Sequence, residues 1–246
     1  GKISFVNPAA ARLSGWNPPE LVGKPASAII HQLRITTLPN GQDDHFMAAA
    51  YHDGTVLIGD TDLFRRKEGT AFPVEYTSKP ILESNRLVGA VVVFRDITDR
   101  KQTETLRARQ ARQSALRADI GFALMTTESL TSTLNRCAQA IVKHLDGAFA
   151  RIWIHNPEED MLELQASAGL YTHLNGQHSR IPVGTYKVGM VAKEKVPMLT
   201  NDLANDPDII DREWVQREGM VGFAGFPLLV QNRLIGVMAM FSRNPL

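Results

Sequence analysis

The chain has 246 residues, a formal charge of +1, and 43% apolar against 22% charged residues. That balance, without a long biased tract, describes a globular chain of one large or two ordinary domains, and a net charge so close to zero gives no electrostatic reason to expect a nucleic-acid or membrane-surface partner. The single cysteine, Cys137, excludes a disulfide framework and a Cys-rich zinc site and fits a reducing compartment, so a cytoplasmic location is expected.

No run approaches the ~18–20 apolar residues of a membrane span, and the opening Gly1-Lys2-Ile3-Ser4-Phe5 lacks the layout of a signal peptide. It reads instead as an opening cut from a longer protein. Residues 3–7 form a short apolar run expected as a strand, closed by Asn7-Pro8, and residues 9–13 lead as a helical turn to Gly15. Pro18 and Pro19 sit where a second short helix would start, and Gly23 ends it. Residues 39–62 are irregular. Leu63-Phe64-Arg65-Arg66 is a strand signal running into the turn Lys67-Glu68-Gly69-Thr70, after which Phe72, Val74 and Tyr76 alternate with polar neighbours. A turn at residues 84–86 and an apolar, β-branched run at 87–94 complete a three-stranded antiparallel meander.

Residues 99–117 contain neither proline nor glycine and are rich in charge, which predicts a long exposed helix. Leu106, Gln113 and Ile120 fall seven apart with Leu116 and Ala123 at the intermediate heptad positions, a seam interrupted by Arg109 and Gln113. Leu130, Leu134, Ala138, Ile141 and Leu145 then make the stripe of a helix packed on a sheet, with Gly147 as its stop. Hairpins are expected over residues 149–168 and 225–241, with helical turns near 189–193 and 214–218, a short strand at 198–200 and an acidic loop at 201–211. The fold class is therefore α+β: two domains, each a central antiparallel sheet flanked by helices, joined by a long helix. The expected divisions are 1–98, 99–118 for the connecting helix, and 119–246.

The string Ile3-Ser4-Phe5-Val6-Asn7-Pro8-Ala9-Ala10, with Leu13-Ser14-Gly15-Trp16 and Glu20-Leu21-Val22-Gly23-Lys24, resembles the opening of a PAS domain. Residues 64–76 and 89–98 resemble its last three strands; the family's first strand would fall before Gly1. Residues 119–243 resemble a GAF domain, through Ile181-Pro182-Val183-Gly184, Gly189-Met190-Val191-Ala192, Asn201-Asp202 with Asp206-Pro207, and Phe226-Pro227-Leu228 with Leu234-Ile235-Gly236-Val237-Met238. The resemblance implies a sensory input of the kind found before bacterial histidine kinases or cyclic-dinucleotide enzymes, with the effector in the same polypeptide. It also implies that Arg95-Asp96-Ile97-Thr98 is the signal exit; read alone, those four residues are equally a strand end with a helix cap.

Several chemistries are argued against by particular residues. Where a flavin-photosensing PAS domain carries its reactive cysteine, this chain has Ala26, so a flavin-cysteinyl adduct is not expected. Cys137 precedes Ala138 rather than the histidine of a bilin-attachment site, and reads as a small buried thiol. The Asn-Lys-Phe-Asp-Glu signature of cyclic-nucleotide GAF domains is missing, as are a Gly-x-Ser-x-Gly elbow and a phosphate-cradling loop. His31, His45 and His52 keep a heme-based gas sensor open. His144, His155, His173 and His178 show no metal-ligand spacing, and Asp202, Asp206, Asp208 and Asp211 read as turn caps.

Aromatic residues are core first and pocket lining second. The candidate lining residues are Phe5, Trp16, Phe64, Tyr76 and Phe94 in the first module and Trp153, Tyr171, Trp214 and Phe223 in the second. No catalytic residue and no metal site emerge. The expected role is a regulatory segment that binds a small molecule, with Leu106, Gln113, Leu116 and Ile120 as the homodimer seam. The alternative is a ligand-free dimerisation and spacing unit.

Overall fold

Asn7 and Pro8 start the first helix for reasons visible in their chemistry. The Asn7 side chain accepts a hydrogen bond from Ala10 N at 2.8 Å, and Pro8 has no N–H to leave unpaired. In the computed structural model, which describes residues 2–26, 30–31, 54–125, 129–209 and 211–246, this helix is α1, Pro8–Ser14, followed by α2, Pro18–Leu21. The chain divides into two compact units, Gly1–Arg107 and Ala108–Leu246.

The first unit holds a four-stranded antiparallel sheet in the order β1 (Ile30–His31), β2 (Leu57–Arg65), β3 (Ala71–Glu83) and β4 (Arg86–Asp96). The expected alternation of β3 holds: Phe72, Val74 and Tyr76 are buried and form its core with Leu21 and Phe64. Ser84 and Asn85 both take positive φ, the geometry of the tight hairpin that suits the twist of the flanking strands. Two expectations need correction. Strand β2 begins at Leu57, not Leu63, because an irregularity between Gly59 and Asp62 breaks the apolar alternation that would have revealed it. Residues 3–7 are not a strand. Ile3 exchanges backbone hydrogen bonds with Gly23 and Lys24 (2.8 and 2.9 Å), and the pairing stops at the Lys2–Pro25 bridge, since proline has no N–H to extend it.

The helix α3 runs Thr98–Met125, extending eight residues beyond Arg117. In the second unit, α4 (Leu130–Leu145) precedes a six-stranded antiparallel sheet in the order β7-β6-β5-β10-β9-β8. Its strands are β5 (Phe149–Asn156), β6 (Met161–Gly169), β7 (Arg180–Pro182), β8 (Met198–Thr200), β9 (Gly222–Val230) and β10 (Arg233–Ser242). The helices α5 (Tyr186–Glu194) and α6 (Arg212–Glu218) lie between them in sequence. Strand β7 was legible only as part of the Ile181-Pro182-Val183-Gly184 motif.

The sheet buries both faces. Small residues Ala150, Ala166 and Ala168 meet Ala138 and Ile141 of α4 on one side, while Phe149, Trp153, Val237 and Phe241 build the larger core on the other. The stripe expected on α4 is shorter than its spacing suggests, because Leu130 and Leu145 at its ends are exposed. Asp146, not Gly147, takes the left-handed cap; Gly147 is confined because Met240 atoms lie 2.8 Å from where a Cβ would stand.

Strand β10 pairs with β5 from Gly236, which lies opposite Ile154. A Cβ there would sit 2.1 Å from the Trp153 carbonyl oxygen, a backbone atom that cannot rotate away. Gly236→Ala is expected to cost about 1–3 kcal/mol through overpacking, read as a lowered urea midpoint with an unchanged denaturant slope. A midpoint equal to that of the unmodified chain would show that the two strands separate freely at this point.

Candidate functional site

Strand β5 is where the second unit departs from a simple core. Its period of two places Phe149, Arg151 and Trp153 on one face and Ala150 and Ile152 on the other. Arg151 is thus a cation on a buried strand face, 8% exposed. Its Nε donates to Ser167 Oγ at 3.2 Å, and Ser167 Oγ itself donates to the Tyr171 carbonyl at 2.6 Å. The guanidinium carbon lies 5.6 Å from the Phe149 ring and 5.7 Å from that of Tyr171. Among the described residues no carboxylate lies within ion-pairing distance of it. Burial holds its pKa below the usual arginine value, slightly offset by Tyr171.

Above this face lies a cavity of about 310 Å³, at the small end of the range for small-molecule sites. Phe149, Trp153, Tyr171, Trp214 and Phe241 supply aromatic walls. They brace one another: Phe149 stacks on Phe241 at 4.7 Å, Trp214 meets Phe149 and Phe241 edge-on, and its indole N–H donates to the Tyr171 hydroxyl at 3.0 Å. The Trp153 indole N–H donates to the His178 carbonyl at 2.9 Å, which fixes the loop carrying His178 over the cavity. Burial, then the nearby Arg151 charge, lower the His178 pKa; Asp211 opposes them.

Lys187, on the first turn of α5, also reaches the lining and is buried. Its ammonium pairs with Asp206 at 2.6 Å and lies 3.8 Å from Asp208. The capping role expected for the acidic loop holds alongside this: Asp206 accepts from Asp208 N, Asp211 accepts from Trp214 N at the start of α6, and Asp202 accepts from the Asn205 amide. Among the described residues there is no cluster of three metal-ligating side chains.

Of the candidate lining residues, Trp153, Tyr171 and Trp214 come together here. Phe223 does not: it is fully buried beneath the cavity, against Phe241 and within 5.7 Å of Lys187. In the first unit Phe5 is 79% exposed, while its neighbours Ile3 and Val6 pack against the core. Phe64, Tyr76 and Phe94 pack on one another in the core, and Trp16 sits at its edge under Lys24. His31 falls in β1, and His45 and His52 lie outside the described residues. The sequence reading missed Arg151, Tyr186 and Lys187. A charged residue on the inward positions of an apolar strand, between Phe149 and Trp153, was the available signal.

The segment Arg95 to Thr98 forms a tied junction. Asp96 accepts from both Thr98 N and Thr98 Oγ1, capping α3, and its other oxygen binds Arg66 at 2.9 Å; Arg66 also donates to the Leu13 carbonyl. Burial raises the Asp96 pKa, but the hydrogen bonds from Thr98 and the Arg66 charge outweigh it and leave it below the usual value. Ile97 is buried and donates to the Pro73 carbonyl. The four residues of the expected heptad seam differ in burial. Leu106 and Gln113 are exposed, whereas Leu116 and Ile120 are half-buried, and Leu116 packs on the chain's own α4 cluster. Cys137 is half-buried, and burial pushes its thiol pKa up.

Breaking the Lys187–Asp206 pair from one side is expected to be costly. Lys187→Met strands a buried carboxylate and should lose about 3–5 kcal/mol in urea unfolding, while adding Asp206→Leu should restore most of it. A single variant within experimental error of the unmodified chain would show the pair to be solvated. A second expectation concerns pH. Since the folded pKa of His178 is depressed, the stability held by its neutral form is complete above the unfolded value of 6.5 and is lost as pH falls through the folded value. His178→Gln should therefore lose less stability than the unmodified chain between about pH 7 and about pH 5; parallel curves would contradict this.

Comparison with known sequences follows the two units. A family model for the PAS domain matches residues 1–99, and one for the GAF domain matches residues 127–246. A curated relative, "Probable diguanylate cyclase DgcE" of Escherichia coli (strain K12), is 30% identical over 103 residues, 41% of this chain. The chain spans only 9% of that relative's length. Among solved structures, the GAF domain of a phosphoenolpyruvate-protein phosphotransferase from Coxiella burnetii is 20% identical with a TM-score of 0.49, covering 55% of this chain and 80% of that one. The nlh2 GAF domain of A. aeolicus is 15% identical with a TM-score of 0.47, covering 55% and 81%. The chain is a PAS domain followed by a GAF domain, joined by a long helix, and this pairing of sensory domains fits the input side of signal transduction.

Proposed function

We propose that this chain is the cytoplasmic sensory input of a multidomain bacterial signalling protein, in which the GAF domain binds a small molecule and α3 carries its state to an effector in the same polypeptide. One observation carries the reading: a cavity of about 310 Å³ with braced aromatic walls and a few convergent polar groups, the composition expected of a small-molecule site. The ligand acts by binding two packings of the helix unequally, which shifts their populations. The extents proposed for the parts are 1–98 for the PAS domain, 99–118 for the signalling helix and 119–246 for the GAF domain. Homodimerisation draws on the exposed first half of α3, where Leu106 lies. Among the described residues no helix is long and apolar enough to cross a membrane.

For the effector, the tandem arrangement supports a sensor histidine kinase. A specific observation favours a second class, a cyclic-dinucleotide cyclase: the 103-residue likeness to a protein named as a diguanylate cyclase.

The test is a native mass spectrum and an absorption spectrum of the purified chain. The reading expects extra mass that denaturation releases and that Trp214→Ala, which opens one wall of the cavity, removes. A Soret band would replace it with a heme sensor and put His31, His45 and His52 first for substitution. A chain with no bound mass, and with no change in amide exchange around residues 170–214 on titration with small metabolites, would leave a ligand-free dimerisation and spacing unit in its place.

A further inference from the structure

The charges lining the GAF cavity are unequal in a way that specifies a ligand. Lys187 is neutralised by Asp206 at 2.6 Å, with Asp208 at 3.8 Å. Asp211 is engaged as the cap of α6, accepting from Trp214 N at 2.8 Å. The lining imidazole with a resolved shift, His178, is held toward its neutral form. Arg151 is left. Its Nε is satisfied by Ser167, which fixes the plane of the guanidinium, while its two terminal nitrogens bond to no described residue although Arg151 lines the cavity. A desolvated cation without a counter-ion is costly, and protein structures retain such a group where a bound anion completes it.

We propose that Arg151 is the counter-ion for a small organic monocarboxylate whose aromatic or apolar body fills the cavity. The inference rests on the proposal that this cavity binds a ligand. A guanidinium fork matches a planar carboxylate with two parallel hydrogen bonds. A phosphate dianion fits less well, since among the described residues one free cation lines the cavity and Asp208 and Asp211 share its lining. The walls around Arg151 are the faces and edges of Phe149, Tyr171 and Trp214, which suit a ring or a branched hydrocarbon. The ligand recognised is thus an acid of modest size, held at its head by Arg151 and along its body by aromatic contact.

Calorimetric titration with phenylacetate and with its neutral isostere phenylacetamide tests this on the 246-residue chain. The acid is expected to bind at least about tenfold more tightly than the amide. Arg151→Gln should reduce that ratio to about one by weakening the acid alone, and Arg151→Lys should keep part of it. A second readout needs no ligand. Since no described side chain compensates the Arg151 charge, Arg151→Met should melt at or above the temperature of the unmodified chain when no ligand is added. Equal binding of acid and amide would overturn the role of Arg151 while leaving the cavity a ligand site. Failure of both probes to bind would overturn this inference, while the ligand-binding reading beneath it stands or falls on bound mass and amide exchange. A melting temperature lowered by several degrees in Arg151→Met would make the arginine a structural group and likewise overturn the inference.

Discussion

A central antiparallel sheet that must bury both faces governs the second domain. Strands β5 and β10 pair along six residues, and every side chain they carry is committed to one of two different layers. On one face the alanines of β5 and β6 let α4 lie close, with Ala138 and Ile141 filling the gap. On the other, larger aromatic side chains line the sheet, and the covering is done by α5, α6 and the loops before each. A layer of rings that brace one another at 4.7–5.9 Å leaves space between itself and its loops. The cavity therefore follows from side-chain size on a strict period of two, with Arg151 entering because it occupies one of those inward positions.

What could be read beforehand depended on whether the information was local. Alternation in β3, the hairpin turns at Ser84-Asn85 and Gln231-Asn232, and the central stripe of α4 are written in neighbouring residues, and the structure follows them. The irregularity in β2 and the confinement of Gly147 by Met240 each depend on a partner distant in sequence. The site shows the same division. Trp153, Tyr171 and Trp214 were visible as aromatic candidates, yet nothing local separated them from Phe223, whose burial is decided by β10 and α5. The Lys187–Asp206 pair joins residues nineteen apart, and the acidic loop read alone offered only caps. Arg151 was legible in principle, as a charge inside the Phe149-to-Ile154 run.

The two domains use their ionisable groups differently. In the PAS domain Asp96 joins three pieces of backbone: it caps α3 through Thr98, and through Arg66 it reaches the Leu13 carbonyl at the end of α1. Every partner in that set is accounted for, which suits a mechanical tie. Among its described residues the GAF domain has one satisfied buried pair, Lys187 with Asp206, and one buried cation whose fork is only partly used. Fully satisfied polar groups specify a structure, whereas an unsatisfied one beside a cavity specifies what the cavity accepts.

The helix α3 is the element least able to stand alone. It is polar on nearly all sides, with Ala123 its one fully buried residue, so no continuous apolar stripe holds it to a neighbour. Its helical state is supported at the two ends instead. At the first, Asp96 and Ile97 anchor it; farther along, Asp119 bonds to His144 and Lys143 of α4 while Leu116 joins the α4 cluster. Between them lie exposed residues such as Leu106 and Gln113, whose packing contributes little in one copy of the chain. A helix supported this way has a small free-energy difference between alternative packings, because few contacts are exchanged when it shifts. On the signalling role proposed above, modest differential binding at either end would then be enough to redistribute its states, and that energetic economy, more than the helix's length, would let it carry a signal.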